Sequence, residues 1–100
     1  MNARLDKKEV LSVLKRHKKE FERQYGVTAL GIFGSVARGE ATPTSDVDVV
    51  VQMREPNLFF MVHIKDTLAD ELHGHVDIIH YRERMNPFLR RRIDRDVVYV

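Results

Sequence analysis

The chain has 100 residues, 43 % of them apolar and 32 % charged, which is enough for one domain (residues 1–100) with a modest core and too few for two. No long apolar span suits a membrane, and the apolar content excludes a disordered chain. Zero cysteines remove disulfides and thiolate metal sites, and the start Met1–Lys8 carries charges with no apolar signal region, so the cytoplasm is the expected compartment.

The apolar positions Val10, Val13, Leu14, Phe21 and Tyr25 recur at helical steps, with His17 among them, and predict an amphipathic helix from Leu5 to about Tyr25. Gly26 stands where a helix C-cap glycine belongs, and Val27–Phe33 has the apolar, β-branched character of a buried strand. Gly34-Ser35 ends that strand and opens a turn or two of helix to Glu40, and 41–44 is a loop by composition. A second strand is predicted from Asp46 to Met53. A helix follows from Leu58 to Leu72, a third strand over His75–Tyr81, a short helix after Asn86-Pro87 and a last strand over Val97–Val100. The order α-β-α-β-α-β-α-β, without repeats or linkers, predicts an α+β fold: one mixed β-sheet with flanking helices.

The net charge is +2, but it is unevenly spread. Residues 1–24 hold eight Lys/Arg against four acids, 25–81 three against eight, and 82–100 six against three. An acidic centre is either a solvated face or a cation site before the cation is counted.

The acidic centre contains Asp46-Val47-Asp48. In a strand, alternate side chains share a face, so Asp46 and Asp48 point the same way with Cα atoms about 6.6 Å apart, while Val47, Val49 and Val51 face the core. Two carboxylates that close repel, and a divalent cation between them resolves the repulsion; oxygen ligands favour Mg²⁺, or Mn²⁺. The Gly34-Ser35 turn, at a strand end and a helix start, allows close backbone approach and offers N–H groups to a phosphate. Either signal alone is commonly a mere turn or cap. Together, with a strand on each side and Ser45 directly before the pair, they point to adjoining phosphate and metal sites.

Three other motif readings fail on residues. Gly34 to Gly39 has P-loop spacing, but Glu40-Ala41 replaces the Lys and Ser/Thr. Ser35 lacks the flanking glycines of a nucleophile elbow, and Val49-Val50-Val51 replaces the remaining ligands of an EF-hand.

The run Gly34-Ser35-x-Ala37-Arg38-Gly39 followed by Ser45-Asp46-x-Asp48 resembles the nucleotidyltransferase superfamily of the DNA polymerase β type, in particular its minimal members paired with HEPN-domain proteins. The resemblance covers nearly the whole chain. It implies that fold and a third metal carboxylate on a neighbouring strand, for which Asp77 is the matching position. By it, Asp46, Asp48 and Asp77 would be the catalytic and metal-binding residues, and Gly34 and Ser35 would hold the β- and γ-phosphates of ATP or another nucleoside triphosphate. Arg38 would either neutralise the triphosphate or form a structural ion pair. The family often has a glycine before its last strand, where this chain has Arg95-Asp96.

The expected activity is transfer of a nucleoside monophosphate, AMP foremost, to a hydroxyl acceptor; in the family that acceptor is typically a tyrosine of a HEPN-type toxin, which makes the enzyme an antitoxin. The alternatives are an antitoxin that neutralises its partner only by covering it, and a nucleotidyltransferase acting on a small molecule. An Asp-x-Asp glycosyltransferase needs a larger fold. His73, His75 and His80 lack the further ligands of a zinc site, because His75 and His80 fall on opposite strand faces. The Arg90-Arg91-Arg92 run, with Arg82, Arg84 and Arg95, is a nucleic-acid grip, a partner-binding or triphosphate-steering face, or a solvated helix face; without interleaved aromatics beyond Phe88, no nucleic-acid partner is expected. No membrane partner is expected either.

Overall fold

The computed structural model describes residues 6–100. Leu5, where the first helix is expected to begin, lies outside the described residues. Helix α1 spans Lys7–Tyr25, capped by the Asp6 carboxylate, which accepts from the Lys8 N–H at 2.8 Å. It ends where Gly26 takes a left-handed φ of 69° and donates its N–H to the carbonyls of Glu22 and Phe21. Strand β1 (Val27–Phe33), helix α2 (Gly34–Ala37) and strand β2 (Val47–Met53) follow. Then come α3 (Leu58–Leu72), β3 (Val76–His80), α4 (Pro87–Asp96) and the short β4 (Val98–Tyr99). The observed order is the expected one, with ends shifted by one or two residues, except that α2 stops at Ala37, three residues short of the expected Glu40. Asp46, expected inside the second strand, stands one residue ahead of it.

The asparagines before α3 and α4 set where those helices start. Asn57 accepts from the N–H groups of Phe59 and Phe60, and Asn86 from those of Phe88 and Leu89, with Pro87 in the first turn, where its missing N–H costs nothing.

The sheet order is β3-β2-β1-β4. β1 runs antiparallel to β2 and β4, whereas β2 and β3 are parallel, joined by the α3 crossover. One face carries Val47, Val49 and Val51 into a core with Val10, Leu14 and Phe21 of α1 and with Ile64 and Leu68 of α3. The other face is smaller. There Phe33 and Val50 pack on Ile93 of α4. The sequence pattern places only Val47, Val49 and Val51 inside, but Val50 is fully buried as well, because α4 covers the face that also bears Asp48. Among the described residues no helix is long and apolar enough to cross a membrane.

Candidate active site

The site lies at the end of the sheet where β1 finishes and β2 and β3 begin. Phe33 pairs with Asp48, and Asp48 pairs in register with Asp77. Neighbouring strands lie about 4.8 Å apart, so the two carboxylates stand side by side on the α4 face. Asp46 is exposed just ahead of β2, beside Val47, whose N–H donates to the His75 carbonyl at 2.9 Å. Ser45 closes the preceding turn, its Oγ accepting from the Thr42 N–H at 2.9 Å.

Gly34 meets Asp48 directly. Its φ is +76°, and a Cβ built on it would fall 2.2 Å from Asp48 Oδ2. Only glycine suits both the left-handed backbone and the space, so the turn fits around the carboxylate. Ser35 is half-buried in the first turn of α2.

The electrostatics agree with this packing. Burial first, and then the Asp77 and Asp46 charges, push the Asp48 carboxyl above its ordinary range, while Arg92 and Arg38 pull it down. Arg38 forms ion pairs with Glu40 and with Asp96, both at 2.7 Å. The Asp96 side chain is only 4 % exposed, and the Arg95 and Arg38 guanidiniums hold its carboxyl below the usual carboxylate range. The departure Arg95-Asp96 therefore reaches past a turn: its carboxylate ties the end of α4 to α2.

An open cleft of about 300 Å³ adjoins the pair, lined by Asp48, Asp77, Lys65 and Arg92 over an apolar floor that includes Ile79 and Leu89. Sequence reasoning missed Lys65, and it left Arg92 inside a run of three arginines. The structure separates that run. Arg90 donates to the Tyr81 hydroxyl and the Glu83 carbonyl, Arg91 lies over the Phe88 ring, and Arg92 turns into the cleft. The signal in the sequence is its place, one residue before the buried Ile93 and three after the half-buried Leu89.

Two hard oxygen donors in register suit a divalent cation. Among the described residues no three acidic or histidine side chains converge as a ready cage. Mg²⁺ keeps several waters and is commonly held by one or two carboxylates together with substrate phosphates, so the Asp48–Asp77 pair fits that role. His80 sits within β3, and its Nδ1 is buried without a hydrogen-bond partner. Burial first, and then Arg82, hold its pKa below the ordinary value.

Residues 14–100 match the nucleotidyltransferase domain family. The chain is 36 % identical over 99 residues to protein adenylyltransferase MntA of Thermococcus cleftensis, covering 98 % of this chain and 99 % of the relative. A solved structure described provisionally as a minimal nucleotidyltransferase superposes with a TM-score of 0.65 at 34 % identity, covering 92 % of this chain and 86 % of that one. An MNT antitoxin solved in complex with the tri-AMPylated HEPN toxin of Shewanella oneidensis gives a TM-score of 0.68 at 14 % identity, over 93 % and 70 % of the two chains. That last likeness speaks for the fold alone. Enzymes of this type generally depend on a divalent metal. The chain belongs to the nucleotidyltransferase domain family, as one of its minimal members and a relative of the protein adenylyltransferases.

Proposed function

We propose that this chain, as a single catalytic domain of the cytoplasm, transfers AMP from ATP to a hydroxyl on a HEPN-type partner protein and so acts as its antitoxin. The observation that carries the reading is the fit of the Gly34 turn around Asp48, beside Asp77 in register. It joins a backbone able to lie against phosphate to a carboxylate pair able to hold a cation. The relatives named protein adenylyltransferases and the antitoxin fold of the structural neighbour support the nucleotide and the partner.

In this mechanism the acceptor oxygen attacks the α-phosphorus, a new O–P bond forms in line with the one that breaks, and pyrophosphate leaves. Gly34 and Ser35 hold the β- and γ-phosphates. Arg38, occupied by Glu40 and Asp96, holds α2 in place. Asp46, Asp48 and Asp77 would hold Mg²⁺, with Mn²⁺ as its substitute, and the bound cation would offset charge on the entering and leaving oxygens. Asp77, on the side away from Gly34, takes part in removing the acceptor proton.

Incubated with its HEPN-type partner, ATP and Mg²⁺, the chain should raise the partner's intact mass by whole AMP units. Asp77→Asn should abolish the additions while the complex persists. Neutralisation of the partner without a change in mass would favour the covering antitoxin instead, and transfer to small hydroxyl compounds alone would favour a small-molecule enzyme.

A further inference from the structure

The two sides of Asp48 are electrostatically unlike. On the β1 side lies the Gly34-Ser35 turn, followed by Arg38, whose guanidinium is taken up by Glu40 and Asp96. The cleft, which runs from Phe33 of β1 past Asp48 to Asp77, Ile78 and Ile79 of β3, presents Lys65 from α3 and Arg92 from α4. Neither takes part in any ion pair or side-chain hydrogen bond found among the described residues, although Asp48 and Asp77 line the same cleft. The N–H groups of Arg92 remain available in the cleft, close enough for its charge to favour the ionised form of Asp48.

In-line displacement decides which partner they meet. The entering and leaving oxygens lie on opposite sides of the phosphorus. With the leaving pyrophosphate on the Gly34-Ser35 side, the acceptor must enter from the β3 side, where this cleft opens. We propose that Arg92 and Lys65 are acceptor-side residues that contact the acceptor oxygen and receive the negative charge that builds on it as its proton leaves and its bond to the α-phosphorus forms. Phe33, Ile79 and Leu89 form the apolar floor beneath both cations. A volume of about 300 Å³ admits one side chain. The inference rests on the transfer reading and adds to it which residues meet the acceptor.

The test uses the full chain with its HEPN-type partner, ATP and Mg²⁺, comparing Arg92→Met, Arg92→Lys and Lys65→Met with Arg91→Met, an exposed neighbour outside the cleft. Transfer is followed by intact mass, and Mg²⁺–ATP affinity by calorimetry. Arg92→Met should lower kcat/KM for the acceptor roughly 100-fold, the scale seen on losing one donor to a developing oxyanion. Its ATP affinity and melting temperature should stay at wild-type values. Its rate should rise at higher pH than that of wild type, because the acceptor has lost the cation that eases its deprotonation. Arg92→Lys should recover part of the rate, Lys65→Met should show a smaller loss of the same kind, and Arg91→Met should show none. ATP affinity falling in parallel with the rate would assign the cations to the triphosphate and overturn the proposal, as would an unchanged rate in both Met variants. A wild-type chain that adds no AMP would instead overturn the transfer reading, and this inference with it.

Discussion

The contact between Gly34 and Asp48 makes the sharpest prediction. Gly34→Ala places a Cβ 2.2 Å from Asp48 Oδ2 and 3.2 Å from its Cγ, at a backbone φ of +76°. A left-handed non-glycine residue costs roughly 1–2 kcal/mol. The carboxylate can escape only by rotating away from Gly34, at roughly 0.5–1.5 kcal/mol if it leaves its rotamer well. The sum is about 1.5–3.5 kcal/mol, and at about 4–8 °C per kcal/mol for a domain this size the melting temperature should fall roughly 6–28 °C. The two contributions separate in a double-mutant cycle. Gly34→Ala/Asp48→Ala keeps the backbone cost but removes the collision, so it should lose about 1 kcal/mol less than the sum of the single changes. Thermal and urea unfolding of the four proteins measures this. Additive losses, or a Gly34→Ala variant as stable as wild type, would refute the reasoning.

Three further outcomes follow from the site and its supports. Because burial and Asp77 raise the Asp48 carboxyl in the folded state, its ionised form destabilises the fold at neutral pH. Without divalent ions, Asp48→Asn should therefore melt above wild type at pH 7, and the advantage should shrink as pH falls through the raised value and vanish near pH ~3, below the ordinary carboxylate range; an advantage constant with pH would exclude this origin. Mg²⁺–ATP at about 100 times its dissociation constant should stabilise wild type by about 2.7 kcal/mol, and Asp46→Asn/Asp48→Asn should lose that stabilisation; an equal rise in the double variant places the binding site elsewhere. Asn86→Ala removes the acceptor of the Phe88 and Leu89 N–H groups and should cost about 1 kcal/mol, with faster amide exchange confined to the first turn of α4; exchange accelerated evenly along α4 would count against a local cap.

Much of this fold is written in local patterns, and the reasons differ by element. The spacing of Val10, Val13, Leu14 and Phe21 and the glycine after Tyr25 describe α1 because helix period and cap chemistry are properties of neighbouring residues. Asp48 was readable as a candidate because strand alternation sets it apart from Val47 and Val49. Asp77 is different: nothing within His75–Tyr81 marks it, and it came from the family resemblance. Its place beside Asp48 depends on the parallel register of β2 and β3, which the α3 crossover sets. Val50 misled the alternation argument because a strand covered on both faces loses its polar side. The arginine run was opaque for a related reason. Three identical residues in succession point about 100° apart on a helix, so only the position of Ile93 against the sheet decides which of them meets the site.

The position of Ile93 also explains how so short a chain can keep two sides of a site in fixed relation. One turn of α4 carries Arg92 into the cleft beside Asp48 and Asp77, Ile93 into the apolar contact with Phe33 and Val50, and Asp96 to Arg38 on the α2 side. Arg92 and Asp96 are four residues apart, about 6 Å along the helix axis. Phe33 in turn pairs with Asp48 and directly precedes Gly34. The anchor of α4 thus stands directly before the Gly34 turn, and a shift of α4 would move the Arg92 guanidinium and the Asp96 carboxylate together. A glycine in place of Asp96 would leave α2 without its tie to α4. In this chain the acid at that position therefore links the end of α4 to α2 through Arg38.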